Sequence, residues 1–296
     1  MRTFLRLSAV ALLAVCFAPA DVIYSQTTKF EGGTLIDMMQ KMASMPMMGR
    51  MMGGANMKQA FEEQHYDVFI KGNKMARLGK LTSSVYDLDA GTMTTLDNTK
   101  QTFSTETFEE MQQRMEQMQQ RMSRGKTGDL DFDVKVSSTG QTREIDGVTA
   151  KETLIVMTAK QASAQGQMIV TMHAWMVPST PATKDVTEFQ RKLGAKYAYA
   201  FASGGPGMLS TAKGMSQAMK EAMQQDGYPI LTEVEITGVT PSGPMGPMGG
   251  GDTKSDPNAP LIKLQTVNGG FAQGGVDDSK FAIPAGYKET KGRMGR

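Results

Sequence analysis

Met38, Met39, Met42 and Met45 fall within eight positions and open a run of methionines that continues through Met47, Met48, Met51, Met52 and Met57. Thioethers are soft ligands, so the first four are a candidate Cu(I) site. The same residues also suit an adaptable apolar surface, the commoner role of methionine. Neither histidine nor cysteine lies inside the run to favour copper. The two histidines, His65 and His173, each fall in a strand-like stretch, and only His65 has carboxylates close in sequence, at Glu62, Glu63 and Asp67. Trp175 reads as a packing residue. Glu109 and Glu110 read as helix-start residues rather than as an acid/base pair, which needs a defined gap for its substrate.

Motifs for other chemistry are missing. There is no nucleophile elbow, no His-Glu-x-x-His zinc motif and no phosphate-binding glycine loop, since Gly204-Gly205-Pro206-Gly207 lacks the lysine and the strand-to-helix setting. The expectation is a protein that is not an enzyme and needs no cofactor. The one cysteine, Cys16, lies in the amino-terminal segment.

That segment has the three parts of a secretory signal. Arg2 and Arg6 supply charge, Leu7 to Ala18 an apolar core, and Ala18-Pro19-Ala20 the small residues before Asp21. The core is about a dozen residues, short of the roughly 20 of a spanning helix, and no later stretch is longer and as apolar. Residues 1–20 therefore read as a signal peptide and 21–296 as a single exported domain, periplasmic or secreted. Leu13-Ala14-Val15-Cys16 resembles a lipoprotein signal apart from Val15, and a lipid anchor on Cys16 is the alternative. Losing Arg2 and Arg6 reduces 32 basic residues to parity with 30 acidic ones. A neutral chain lacks the electrostatic footprint of a nucleic-acid binder.

The elements that would position these residues are mainly strands. Asp21 to Phe30 reads as a first strand, and residues 38–57 as a long mobile Met-rich insertion, because Pro46, Gly49, Gly53 and Gly54 oppose a continuous helix. Short apolar runs from Phe61 to Phe103, joined by Gly72-Asn73, Asp89-Ala90-Gly91 and Asp97 to Lys100, predict an antiparallel meander. Thr107-Phe108-Glu109-Glu110 fits a capping box, and Phe108, Met111, Met115, Met118 and Met122 follow on one helical face up to about Ser123. Strands resume at Phe132–Val136, Thr142–Ile145 after a Thr139-Gly140 turn, Val148–Thr158 and Gln167–Val177. On the last of these, His173 and Trp175 share one face and Val170 and Met172 the other. A second helix is expected from near Asp185, with Phe189, Leu193, Tyr197 and Phe201 at four-residue steps. A third, about 210–225, carries Met215, Met219 and Met223. Tyr228–Val239 and Leu261–Val267 complete the strands, around a Gly/Pro-rich loop at about 241–258.

Several of these stretches together resemble a family of secreted bacterial proteins known only as a domain of unknown function. That family is similar in architecture to the lipoprotein carrier LolA and the receptor LolB. The resemblance rests on Tyr86-Asp87-Leu88-Asp89-Ala90-Gly91-Thr92-Met93-Thr94-Thr95-Leu96-Asp97, Thr107-Phe108-Glu109-Glu110-Met111, Thr139-Gly140, Ile145-Asp146-Gly147, His173-Ala174-Trp175, Gly227-Tyr228-Pro229 and Phe281 to Tyr287. It implies a mainly β fold with inserted α-helices: a curved antiparallel half-barrel whose concave face is covered by helices and can hold acyl chains. The functional expectation is a non-enzymatic binder of a lipid, acyl chain or exported polypeptide. Its ligand-binding methionines would be Met111, Met115, Met118, Met122, Met215, Met219 and Met223. The alternatives are a Cu(I) protein using Met38, Met39, Met42 and Met45, and an envelope scaffold that binds another envelope protein.

Overall fold

Strand alternation and short turns dominate the sequence, and they build one sheet. The computed structural model describes residues 21–44, 61–123, 132–160, 167–196, 227–238 and 259–290. Within them lie β1 (Val22–Gly32), α1 (Thr34–Ser44), β2 (Gln64–Lys71), β3 (Lys74–Gly79), β4 (Thr82–Asp87), β5 (Thr92–Asp97), β6 (Thr102–Thr107) and α2 (Phe108–Ser123). They continue with β7 (Phe132–Ile145), β8 (Val148–Ala159), β9 (Ile169–Val177), α3 (Pro181–Lys196), β10 (Tyr228–Thr237), β11 (Ile262–Gln273) and the two-residue β12 (Lys288–Glu289). The signal segment, positions 45–57 of the Met-rich run, Tyr197, Phe201, the 210–225 helix and the 241–258 loop lie outside the described residues.

The strand order is β12-β6-β5-β4-β3-β2-β1-β11-β10-β9-β8-β7. Neighbours are antiparallel, as expected from β2 to β6 and between β7 and β8, where the turns are too short for a crossover, except that β12 joins β6 in parallel. Because the order is linear and β12 and β7 end it unpaired to each other, the sheet is open and not curled. This corrects the curved half-barrel and, with it, the resemblance to the LolA and LolB architecture. Motifs such as Ile145-Asp146-Gly147 fix a hairpin but not the curvature of the sheet carrying it. The mainly β class with inserted helices is what the structure shows.

Three smaller expectations also change. Residues 38–44, the start of the segment read as a mobile insertion, belong to α1, because the helix breakers begin only at Pro46, beyond its last residue Ser44. Thr139-Gly140 is not a turn between two strands. It lies in a bulge between Ser138 and Thr142 of one 14-residue strand, β7. Finally, α3 starts at Pro181, earlier than Asp185. Thr180 Oγ1 accepts the Thr183 amide at 3.2 Å and proline occupies the first helical position, where its missing N–H costs nothing. The capping box of α2 forms as read, with Thr107 N donating to the Glu110 carboxylate and Glu110 N donating to Thr107 Oγ1.

Alternation along β1 puts Val22, Tyr24 and Phe30 on one face. Around Val22 and Tyr24 gather Val68, Ile70, Tyr86 and Leu88, closed by Phe108 and Met111 of α2 and by Val186, Phe189 and Leu193 of α3. Phe30 belongs to a second cluster, where Ile36 of α1 meets Ile155, Val170 and Ile236. The other face of β2 to β6 carries Phe69, Val85 and Leu96, packed by Val276, Phe281 and Tyr287 of the carboxyl-terminal segment.

Candidate functional site

Two places on the sheet combine polar and apolar side chains in ways a plain core does not need. The first is the α2-bearing face of β2 to β5. Register aligns Ile70, Met75, Tyr86 and Met93 across these strands. Tyr86 is buried, whereas Met75 and Met93 are half-buried at the cluster margin. One row over, Val68, Arg77 and Ser84 align, and the Arg77 guanidinium lies 3.5 Å from the centre of the Tyr66 ring. Behind them Gln26 donates to Asn268 at 3.0 Å, which gives the apolar face a polar strip. Helix α2 is seated on this face by Phe108 and by Met111, 2 % exposed. Arg114 of α2 ties back to Glu106 of β6 through both of its terminal nitrogens.

The structure thus places Met111 in the core as a packing residue. Met115, Met118 and Met122 occupy positions of α2, but their side chains are outside the described residues, as are Met215, Met219 and Met223 altogether. Sequence reasoning missed Met75 and Met93 because each sits alone in a short strand, and only the register of three hairpins aligns them. The methionines of the copper reading are also divided. Met38 is half-buried and one helical turn from Met42 in α1, the side chains of Met39 and Met42 are outside the described residues, and so is Met45 entirely.

The second place is the face of β9 opposite Val170 and Met172. There Glu152 of β8 is 4 % exposed yet carries a carboxylate. Its Oε1 is 2.6 Å from His173 Nδ1, and its Oε2 accepts from Thr139 Oγ1 at 2.5 Å. The β7 bulge carries Thr139 at this point, a common use of bulges. Trp175, 8 % exposed, donates Nε1–H to Glu233 at 3.3 Å. Arg143 lies over the same indole and pairs with Glu233. This fits the packing role read for Trp175 and adds a polar tether to it. Glu152 was not singled out in the sequence, because its partner lies 21 positions away and depends on the β8–β9 register.

A carboxylate, an imidazole and a hydroxyl in one network still lack a nucleophile poised on the histidine. Among the described residues no three His, Cys, Asp or Glu side chains form a metal-holding group. The histidines do not converge either: β2 and β9 are separated by β1, β11 and β10, about 19 Å at the usual strand spacing. His65 pairs instead with Glu63 at 3.0 Å and with Thr27 at 2.9 Å. A groove of about 330 Å³ beside it, lined by Tyr66, Asp67, Leu78 and Lys80, mixes charges of both signs.

The Thr139 hydroxyl, and after it His173, hold the Glu152 carboxyl below its ordinary 4.5 against the opposing effect of burial. A carboxyl depressed on folding stabilises the native state above its unfolded value and loses that contribution as pH falls. Wild-type protein is therefore expected to lose stability from about pH 4.5 downward more steeply than Glu152→Gln. Denaturant midpoints measured between pH 7 and pH 3 check this, and parallel curves for the two proteins would contradict it.

No protein-family model matches the chain, and no curated protein matches it. No described helix is long and apolar enough to cross a membrane.

Proposed function

We propose that this is a non-enzymatic protein of the periplasm or the secreted fraction that holds an apolar molecule, an acyl chain or lipid, against the α2-bearing face of its sheet. The observation that carries the reading is the row Ile70, Met75, Tyr86 and Met93 beneath α2. Its tyrosine is closed off while its two methionines stay half-buried at the cluster margin. Flexible thioether side chains at the edge of an apolar surface repack around irregular guests at little cost. The signal-like amino end supports export, and the near-neutral charge of residues 21–296 argues against nucleic-acid binding.

The reading is tested by stripping purified protein of lipid and titrating it with a fluorescent long-chain fatty acid. Saturable uptake that an apolar peptide fails to displace is expected. Displacement by the peptide assigns the face to exported polypeptide instead, and absence of saturable uptake removes the reading.

A further inference from the structure

We infer that the ligand of this face carries an anionic head group, a carboxylate or a phosphate, and that Arg77 receives it. The inference rests on the proposed apolar-binding role and adds to it the chemistry at one end of the ligand.

Arg77 shares the face of Val68 and Tyr24, because Tyr24 pairs with Val68 and Val68 with Arg77 across three consecutive strands. It therefore stands on the helix-bearing side of the sheet, one row from Met75. Its Nε is buried and meets no hydrogen-bond acceptor among the described residues. The Tyr66 ring does not supply one. Stacking satisfies the π-face of the guanidinium, whereas Nε–H points outward in the guanidinium plane.

Other arginines in the structure are treated differently. Arg114 pairs with Glu106, Arg143 with Glu233 and Arg191 with Glu188. Among the described residues no carboxylate pairs with Arg77. Tyr24 on the same row supplies no counter-charge, since burial holds its hydroxyl well above its ordinary range. A permanently charged fork with an unanswered in-plane donor beside an apolar surface matches a planar carboxylate or a phosphate. The chain of such an amphiphile would run along Met75 and Met93.

The test compares a long-chain fatty acid, the alcohol of the same chain length, the matching alkyl phosphate and inorganic phosphate alone, each titrated into lipid-stripped protein. On wild type, acid and alkyl phosphate are expected to bind about tenfold or more tightly than the alcohol, the return on a charge-assisted hydrogen bond in a buried site. Arg77→Met, its folded state verified by circular dichroism, is expected to lose that preference. Arg77→Lys, which keeps the charge without the fork, is expected to retain part of it.

Equal binding of acid and alcohol by wild type would overturn the head-group inference and leave the apolar reading standing. Failure of every long-chain probe would overturn both. Inorganic phosphate binding as tightly as the alkyl phosphate would make Arg77 a simple anion site, and a preference surviving in Arg77→Met would remove Arg77 from the account. Should Arg77→Met fail to fold, an undiminished preference in Arg77→Lys counts against the fork.

Discussion

Replacing Phe189 with alanine is expected to destabilise the protein by about 3–5 kcal/mol, the range for emptying a fully enclosed aromatic site. Phe189 is 2 % exposed at the middle of α3, between Val186 and Leu193, and its ring closes the cluster formed by Val22, Tyr24, Val68 and Tyr228. Its surroundings are aromatic and stiff. Phe271 stacks on Tyr24 and meets Tyr228 edge-on, both at 5.1 Å, so they collapse poorly into a void. Against a total stability of about 5–15 kcal/mol such a loss is severe. The readout is the urea midpoint, with the slope unchanged. Glu188→Ala, one position earlier on the solvent side of α3, removes only the exposed pairs with Arg191 and Lys192 and should barely move the midpoint. Equal shifts for the two variants would show that α3 is not held by its buried stripe.

Gly33→Ala is expected to have the second largest effect. At this residue the chain leaves β1 and turns into α1 with φ +127°, a conformation that side chains strain to adopt. That strain is about 1–3 kcal/mol on its own. A methyl group there would also collide with backbone, 2.7 Å from the Leu261 carbonyl carbon and 2.8 Å from Ile262 Cα. Backbone cannot rotate aside as a side chain can. The close approach exists because α1 is docked by Thr34 N donating to Pro260 and Leu35 N to Leu261. Gly91→Asn is the control. It lies at φ +64° in open space, where asparagine fits, and its midpoint should stay near wild type. A Gly33→Ala midpoint as unperturbed as the control's would contradict the docking of α1.

Much of the strand plan is legible in the residues. Gly72-Asn73 and Asp89-Ala90-Gly91 join antiparallel neighbours as read, and the capping box at Thr107 opens α2 as its spacing requires. The errors share a cause: a local signal was extended beyond its reach. Pro46 and the glycines after it oppose a helix through their own positions, but they say nothing of Thr34 to Ser44, where Ile36 packs inward and Asp37 occupies the first turn. Pro181 marks a boundary, and only the Thr180 hydroxyl decides that it begins a helix. Thr139-Gly140 has turn chemistry, yet pairing with β8 continues on both sides of it, so a bulge results. Openness of the sheet is further from the sequence still, since it depends on which strands end the order.

The candidate site divides in the same way. Trp175 as a packing residue follows from its strand, but the Glu152–His173 contact and the row from Met75 to Met93 depend on register between strands, which no single segment encodes. Arg77 carries no sequence signal. Its interest comes from an acceptor that none of the described residues provides.

Photo-crosslinking places the apolar molecule most directly. A diazirine-bearing fatty acid, bound to the lipid-stripped protein and irradiated, should label peptides containing Met75, Tyr86 and Met93, with labelling that saturates and is competed by unlabelled fatty acid. Labelling confined to peptides that carry Glu152 and His173, or labelling that never saturates, would contradict a guest held against the α2-bearing face beside Met75 and Met93.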